Sequence, residues 1–360
     1  MPLAVELWTK FARAGASSRL RMLQYLPVLK DLGIAVTPHP LLPDAYVRLL
    51  HAGHLYRSRA LAARSYLRRW RELTLAPAGD LQWVEGELFP FLPFAVESAF
   101  AHHAAPVIAE YDDALFHRYG LSRSAAVRKM AGTKIDQIMR ESACVIAGNS
   151  YLAERARRAG AHRVEIVPTV VDARRYVPVV HAERARTVIG WIGSPVTQHY
   201  LYAIGDALRE VCTQHHAVLR VVGADADVAR QLAGVPVECV GWTEDGEASL
   251  VAGMDVGIMP LPDNPWERGK CGYKLIQYMA CGLPVVASPV GVNADLVAND
   301  VNGFLAGTRD EWVDALSALV RDVGARARMG AAGRVRVEAE LCIDAQAPRL
   351  AQILREVAGH

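Results

Sequence analysis

The chain has 360 residues, which exceeds the usual size of one domain, so we expect two domains that each bury their own core. Its 52% hydrophobic and 22% charged residues are typical of a globular protein and argue against a disordered chain. The net charge of +2 predicts no nucleic-acid partner from bulk electrostatics, so any basic surface must be local.

The six cysteines are scattered, without CxxC or Cys/His ligand spacing. We therefore expect reduced thiols, as in the cytoplasm, and no metal site. The N-terminus lacks a basic start followed by a long apolar run, so no signal peptide is predicted. No window approaches the roughly 18 apolar residues that a membrane-spanning helix requires. The expected location is the cytoplasm, and contact with the inner face of the cell membrane stays open.

Apolar strand-like runs alternate with helical segments throughout the chain, a pattern that predicts parallel sheets built from βαβ units. The first half shows a helix over 15–32, a strand over 34–37, a long helical stretch, and strands over 81–84, 106–111, 144–147 and 164–168. A polar segment without periodicity, 172–186, then predicts an interdomain linker.

The long helical stretch contains an unusually basic segment, residues 54–76. Leucines, Tyr66 and Trp70 are interleaved with six arginines in this segment. Its one acidic residue is Glu72. These arginines are Arg57, Arg59, Arg64, Arg68, Arg69 and Arg71. The composition fits a helix lying on an anionic membrane surface, where arginines meet headgroups and aromatic rings sit at the interface. A solvated helical face is the alternative interpretation.

Carboxylates follow two of the predicted strands. Asp112 and Asp113 come at the end of the strand over 106–111, at the edge where α/β sites collect, and either can orient an acceptor hydroxyl or act as its base. The alternative is that they cap the following helix. His117 is a further candidate nearby. Glu85 and Glu87, after the strand over 81–84, either line the acceptor side or belong to a solvated loop.

The second half repeats the alternation, with strands predicted over 188–192, 217–222, 237–240, 256–259 and 285–287 and a last helix over 342–357. Doubly wound sheets bind ligands at the carboxyl ends of their strands. We therefore predict an α/β fold of two Rossmann-like, doubly wound domains facing a central cleft. The predicted domains are residues 1–178 and 179–340, followed by a terminal helix in 341–360.

A helix is predicted from Gly269 to Cys281, after a proline-rich loop. On it Lys270, Lys274 and Gln277 are spaced i, i+4 and i+7 and so share one face. That face is close to the helix N-terminus, where free N–H groups and the helix dipole attract anions. The spacing predicts a diphosphate site, and a solvated Lys/Lys/Gln face is the alternative.

The run from Lys270 to Val286, above all its QYMACGLPVV stretch, resembles the donor-site signature of retaining glycosyltransferase family four (glycosyl transferases group one), which has the GT-B fold. Further segments sit where that family has its recurring segments, at 147–153, 168–172, 190–195 and 255–260. The resemblance implies that 1–178 is the acceptor-side domain, that 179–340 is the nucleotide-sugar donor domain, and that 341–360 returns to the first domain.

The implied reaction moves a sugar from a nucleotide diphosphate sugar to a hydroxyl acceptor, a glycan or glycolipid of polysaccharide or lipopolysaccharide synthesis. Retention of the anomeric configuration is implied, with no metal or other cofactor. Two alternatives remain open: a non-catalytic family member that binds nucleotide or glycan, and a GT-B-type sugar-nucleotide epimerase. GxGxxG, Walker A, HExxH and GxSxG motifs do not occur, which argues against dehydrogenase, kinase, zinc protease and serine hydrolase activities.

The sequence departs from the family at two carboxylates of its Glu-x7-Glu motif, whose positions fall on Gly269 and Gln277. Gln277 can still bind a hydroxyl pair, whereas Gly269 contributes no side chain. Glu267 lies two residues early and can replace the missing carboxylate only if the loop bulges. The Arg and Lys that the family often places after the first strand of the donor domain are missing too. We therefore assign the cationic role to Lys270 and Lys274.

The same resemblance implies further contacts. The donor would be contacted by neutral groups in the loop after the strand over 188–192, namely Gly193, Ser194 and Thr197. The aromatic ring of Trp242 would lie beside the nucleobase. Local packing is the alternative for the tryptophan. A second loop, near the donor phosphates and the acceptor, comprises Gly15, Ser17, Ser18 and Arg19. There either serine can cap a helix, and the arginine can grip a phosphate with two hydrogen bonds unless it is an ordinary surface residue.

Overall fold

The computed structural model describes residues 2–75, 79–101, 105–179, 185–225 and 227–360. It divides into two compact units. Unit one comprises Met1–Thr169, Gly269–Cys271 and Gln346–His360, and unit two comprises Val170–Arg268 and Gly272–Ala345. The predicted boundaries at 178 and 340 stay predictions, and residues 180–184 of the predicted linker lie outside the described residues.

Unit one is built on a parallel six-stranded sheet with the order β2-β1-β3-β4-β5-β6. Its strands are β1 (Leu3–Phe11), β2 (Ile34–Leu42), β3 (Leu81–Glu85), β4 (Val107–Tyr111), β5 (Cys144–Ala147) and β6 (Val164–Ile166). Its helices are α1 (Ala16–Arg21), α2 (Leu26–Asp31), α3 (Asp44–His51), α4 (Leu55–Leu75), α5 (Phe94–Ala101), α6 (Leu115–Gly120), α7 (Ala125–Ala131), α8 (Lys134–Glu141) and α9 (Ser150–Arg158).

Unit two is built on a second parallel six-stranded sheet, with the order β12-β11-β10-β7-β8-β9. Its strands are β7 (Val188–Ile192), β8 (Val218–Val222), β9 (Val237–Val240), β10 (Val256–Met259), β11 (Val285–Ala287) and β12 (Gly303–Leu305). Its helices are α10 (Gly205–His215), α11 (Val228–Gln231), α12 (Glu247–Ala252), α13 (Pro265–Arg268), α14 (Tyr273–Ala280), α15 (Asn293–Leu296), α16 (Arg309–Arg321) and α17 (Val323–Glu340). The last helix, α18 (Ile343–Ala358), runs from unit two into unit one.

In each sheet the strand order reverses once. In unit one it reverses between β1 and β3, and in unit two between β7 and β10. Doubly wound sheets bind ligands beyond the carboxyl ends of the strands at this point, because the loops on either side of it lead away in opposite directions. We therefore expect ligands to bind at the loops after β1 and β3 in unit one and at the loops after β7 and β10 in unit two.

The first strands of unit one differ from the sequence prediction. β1 was not predicted, and β2 extends to Leu42 although it contains Pro38 and Pro40. These prolines are tolerated because β2 is the edge strand and pairs only with β1. The predicted helix over 15–32 is broken into α1, a short 3-10 turn (Leu23–Tyr25) and α2, which restarts with a proline in its first turn.

The predicted helix from 269 to 281 was wrong in its first turn. α14 begins at Tyr273, after Gly272, whose φ of +67° is left-handed. A Cβ at Gly272 would lie 2.4 Å from Leu296 Cδ1, so only glycine fits. Lys270 therefore precedes the helix instead of sharing a helix face with Lys274 and Gln277.

α4 confirms the long helix predicted from the basic segment as far as Leu75, and residue 76 lies outside the described residues. Of the part of the chain that the structure describes, no helix is both long enough and apolar enough to cross a membrane.

Candidate functional site

A buried ion pair lies below the carboxyl ends of the strands in unit one. Arg21 Nε is 2.6 Å from Glu110 Oε1, and both side chains are almost fully buried. The guanidinium also donates to the Val167 carbonyl at 2.7 Å, and Trp83 Nε1 donates to Glu110 Oε2 at 2.7 Å. Removing one partner of such a pair typically costs about 3–5 kcal/mol, so the pair fixes β3, β4 and α1 relative to one another. The sequence analysis considered Arg19 and missed Arg21.

A second buried carboxylate, Glu85, holds the end of β1 and the start of α1 on either side of the loop between them. Its oxygens accept hydrogen bonds from Ser17 Oγ at 2.9 Å, from Ser18 Oγ at 2.5 Å and from the Lys10 N–H at 2.8 Å. Burial raises the pKa of Glu85, and these donors oppose the rise. The capping role expected for either serine was wrong, because Gly15 is the N-cap of α1. The solvated loop expected for Glu85 was wrong as well.

Gly15 and Arg19 serve packing in this loop. A Cβ at Gly15 would lie 2.2 Å from Phe11 Cβ, so the turn requires a glycine. Arg19 is 5% exposed and donates from Nη1 to the Arg13 carbonyl at 3.0 Å. The surface arginine considered as the alternative is therefore excluded, and the phosphate contact of Arg19 stays a prediction.

Asp112 and Asp113 follow β4 at the carboxyl edge of the sheet. The N-cap of α6 is Ala114, so the capping alternative for the two aspartates was wrong. Burial and the neighbouring Asp112 raise the pKa of Asp113 to about 6, and Lys270 opposes the rise. Lys270 Nζ lies 4.0 Å from Asp113 Oδ1. A carboxylate whose pKa is near neutrality suits a base that accepts a proton from a hydroxyl.

The segment 269–271 packs against this edge. Asn149 Nδ2 donates to the carbonyls of Gly269 and Lys270 at 3.0 Å each, and Cys271 Sγ donates to the Asp112 carbonyl at 3.0 Å. A Cβ at Gly269 would lie only 2.6 Å from Ala114 Cβ. This explains why a glycine stands where the family commonly has its first glutamate. The sequence analysis missed Asn149 as the residue that positions Lys270.

The other polar candidates of unit one are engaged within it. His117 Nε2 lies 2.8 Å from Tyr151 Oη, and burial lowers the pKa of His117, which favours a neutral imidazole. Glu87 is 5% exposed and pairs with Lys134 Nζ at 2.8 Å. The solvated loop expected for Glu87 was therefore wrong.

In unit two, the loop after β7 lies at the reversal of strand order. Gly193 is packed closely, because a Cβ there would lie 2.3 Å from Trp191 Cη2. The Ser194 N–H donates to Thr197 Oγ1 at 3.3 Å, and the Thr197 hydroxyl donates back to the Ser194 carbonyl at 3.2 Å. Ser194 is exposed, so its hydroxyl is accessible at this edge. The arrangement suits neutral hydrogen bonds to an anion.

Gln277 takes part in a buried network. It is 2% exposed, and its amide donates to Tyr176 Oη at 2.8 Å and to Glu247 Oε1 at 2.9 Å. Trp242 Nε1 donates to Glu247 Oε2 at 2.6 Å, and the indole is 39% exposed. Glu247, which the sequence analysis missed, thus holds Gln277 and Trp242, the two residues predicted to contact the sugar donor.

Lys274 and Glu267 also lie in unit two. Lys274, in the first turn of α14, holds its Nζ 5.0 Å from the ring centroid of Trp191, a cation–π contact. Glu267 is 8% exposed and accepts a hydrogen bond from Tyr200 Oη at 2.7 Å, and its replacement of the missing family carboxylate stays a prediction. Across the described ranges, no group of three or more His, Cys, Asp or Glu side chains is placed to hold a metal ion.

The chain is similar in sequence and in fold to known proteins. Residues 186–322 match the family Glycosyl transferases group 1. The D-inositol 3-phosphate glycosyltransferase of Xylanimonas cellulosilytica is 28% identical over 225 residues, and this match covers 55% of the chain and 54% of that protein. The chain thus spans about half the length of this curated relative.

Solved structures match nearly the whole chain. HepE of Anabaena, in complex with UDP and glucose, has a TM-score of 0.68 and 17% identity, and the match covers 99% of this chain and 100% of that one. Sucrose-phosphate synthase of Thermosynechococcus elongatus has a TM-score of 0.70 and 15% identity, with 99% of each chain covered. The fold is GT-B. Residues 186–322 thus match the glycosyl transferases group 1, in agreement with the resemblance seen in the sequence, and the predicted GT-B fold is confirmed.

Proposed function

We propose that the protein transfers a sugar from a nucleotide diphosphate sugar to a hydroxyl group of a glycan or glycolipid, in polysaccharide or lipopolysaccharide synthesis. The observation that carries this proposal is the group 1 domain at residues 186–322. The complex of HepE with UDP and glucose supports this class of donor. Following the family resemblance, the proposal includes retention of the anomeric configuration and no metal ion or other cofactor.

The roles of individual residues follow from their chemistry. Lys270 and Lys274 are the cations that stabilise the departing diphosphate, and the stabilisation grows as negative charge develops on it. The hydroxyl groups of Ser194 and Thr197 add neutral donors, with the Thr197 hydroxyl giving up its bond to the Ser194 carbonyl when the diphosphate binds. Asp113 orients the acceptor hydroxyl and accepts its proton, because a carboxyl whose pKa is about 6 is ionised at neutral pH yet still basic.

Binding of nucleotides tests the donor assignment. Calorimetry with UDP, GDP, ADP and their sugars should find one base that binds to the purified protein. The variant that combines Lys270→Ala with Lys274→Ala should bind it at least about tenfold more weakly, since each lost charge contact is worth about 1 kcal/mol or more. Arg309→Ala with Arg230→Ala, which removes two exposed charges of unit two, is the control. Unchanged nucleotide affinity in the double lysine variant would contradict the assignment.

We also propose that α4 lies against an anionic membrane. Five large apolar side chains of this helix are exposed to solvent: Leu55 by 54%, Tyr56 by 87%, Leu67 by 74%, Trp70 by 48% and Leu75 by 68%. Exposed arginines flank them, at positions 57, 59, 64, 68 and 71. Arg69 is an exception among the arginines of the segment, because it is buried and donates to the carbonyls of Thr9 and His39. Apolar side chains bordered by arginines are what an interfacial helix presents to lipid.

A further inference from the structure

The loop between β3 and α5, residues 86–93, presents an aromatic side chain in an unfavourable backbone conformation. Phe91 has a φ of +65°, in the left-handed region that favours glycine, and its side chain is 56% exposed. Both features oppose stability, because a Cβ is disfavoured at this φ and a large apolar ring is exposed to water. Strain of this kind persists where the surrounding structure imposes it, and it is concentrated at functional sites.

A buried network of charged side chains holds the backbone of this loop in its conformation. Glu97 accepts the N–H groups of Leu88 and Phe89 at 2.9 and 2.8 Å, and Lys134 Nζ donates to the Phe89 carbonyl at 2.6 Å. The ammonium of Lys134 is completely buried between Glu87, at 2.8 Å, and Glu97, at 2.9 Å. Buried charges of this kind rarely stabilise a protein more than apolar residues would, so their use here is to fix one loop conformation.

Two tyrosines complete the clamp on the loop. Tyr66 Oη of α4 donates to the Pro90 carbonyl at 2.7 Å, and the Phe91 N–H donates to Tyr119 Oη of α6 at 2.9 Å. The Phe91 ring also meets the Tyr119 ring in a T-shaped contact, with centroids 5.7 Å apart. Four helices therefore contribute side chains that hold the backbone of 88–91, and the ring they present is rigid.

The loop lies next to the candidate acceptor carboxylates. It follows β3, at the reversal of strand order in unit one. Gly86 lies so close to α6 that a Cβ there would be 2.5 Å from Leu115 Cδ1. α6 begins two residues after Asp113 and also carries Tyr119, which contacts Phe91. The ring is therefore fixed to the helix that follows the proposed base.

We infer that Phe91 is the platform on which a pyranose ring of the acceptor stacks. A pyranose presents one face of C–H groups with hydroxyls around its rim, so it requires a flat apolar surface beside polar groups. A rigid aromatic ring provides that surface without losing side-chain entropy on binding. The inference rests on the proposed function, because it assigns the acceptor sugar to the unit that carries the proposed base, Asp113.

The variant Phe91→Gly tests the inference, because we expect this substitution to leave the protein folded. Glycine adopts a φ of +65° without strain, so the melting temperature should stay unchanged or rise by about 2 °C. Affinity for acceptor glycans, measured by calorimetry with a panel of methyl glycosides and disaccharides of glucose, galactose and mannose, should fall about tenfold. Phe91→Trp should retain affinity. His216→Gly, at another exposed left-handed residue with φ +51°, is the matched control and should bind glycans like the wild type.

The outcomes separate this inference from the proposed function. Loss of glycan affinity in Phe91→Gly, with donor hydrolysis unchanged, supports both. The same loss in a protein that turns over no donor supports the platform and contradicts the enzyme. Equal glycan affinity in wild type and Phe91→Gly would overturn the inference, as would a wild type that binds none of the glycans. Phe91→Gly that keeps glycan affinity but loses binding to phosphatidylserine vesicles would assign the ring to the membrane instead.

Discussion

At the scale of single residues, the surroundings of Asp113 determine when it can act. Its pKa is raised to about 6 by burial and by Asp112, while Lys270 lies 4.0 Å from its carboxylate and opposes the rise. Below pH 6 the carboxyl is mostly protonated and cannot accept a proton. Activity that depends on it must therefore increase as the pH rises through this value.

The pH profile of kcat/KM should show an acid limb with an apparent pKa of about 6. Asp113→Asn should remove this limb and lower activity by about 10²–10⁴-fold, the usual contribution of a positioned base. Lys270→Ala should move the limb to higher pH, because it removes the opposing positive charge. Asp263→Asn, at an exposed carboxylate, is the control. An unchanged acid limb in Asp113→Asn would exclude this residue as the base.

The glycine in place of the family's first glutamate makes a steric prediction. Gly269→Ala should destabilise the protein by about 1–3 kcal/mol, because the added Cβ would lie 2.6 Å from Ala114 Cβ. Gly241→Ala is the matched control, since a Cβ there meets open space, and it should change stability by less than about 0.5 kcal/mol. Urea unfolding measures both. Equal stabilities of the two variants would show that Gly269 is not required for packing.

The residues of the site could be predicted from the sequence only where they follow a recognisable strand or belong to a recognisable motif. Asp112 and Asp113 follow a recognisable strand, so their place at the sheet edge was predictable. Glu85, by contrast, was expected in a solvated loop and is buried, and its partners Ser17 and Ser18 come from α1, 68 and 67 residues away in the chain. Such long-range hydrogen bonds leave no local pattern in the sequence.

At the scale of elements, periodicity predicted α14 but not where it begins. Lys270, Lys274 and Gln277 fit one helical face by their spacing, yet Gly272 turns the chain into a left-handed conformation between them. Only glycine fits this position, because a Cβ would lie 2.4 Å from Cδ1 of Leu296, which follows 24 residues later. The helix therefore starts at Tyr273, and Lys270 is held instead by Asn149.

The outward face of α4 makes a prediction about membrane binding. In co-sedimentation, the protein should bind vesicles that contain phosphatidylserine in preference to pure phosphatidylcholine, because arginines near an anionic surface contribute about 1 kcal/mol each. Tyr56→Ser with Leu67→Ser should weaken binding at least about tenfold, since it removes the two most exposed apolar side chains of the helix.

Leu121→Ser is the matched control, because Leu121 is 63% exposed and lies in unit one outside α4. Raising the salt concentration should weaken binding as well, as it does for surface charges generally. Vesicle binding that does not depend on phosphatidylserine, or that survives the double α4 variant, would contradict the membrane role of this helix.

At the scale of the whole molecule, the fold was predictable because parallel sheets leave continuous apolar runs in the sequence. β5 has its predicted bounds, and its four residues are fully buried. β1 was missed because its alternation includes Glu6, Thr9 and Lys10. β12 was missed because it has three residues and starts with a glycine, Gly303, which leaves too little pattern to read.

The measurement that tests the central claim most directly is turnover of nucleotide diphosphate sugars by the purified protein. Mass spectrometry should detect a free nucleoside diphosphate together with a glycan one sugar longer, or slow donor hydrolysis when no acceptor is present. The rate should be the same in EDTA and in magnesium. A nucleotide that binds without releasing its sugar would identify a non-catalytic binding protein, and a sugar that changes configuration while still attached to the nucleotide would identify an epimerase. Either result would contradict the proposed glycosyl transfer.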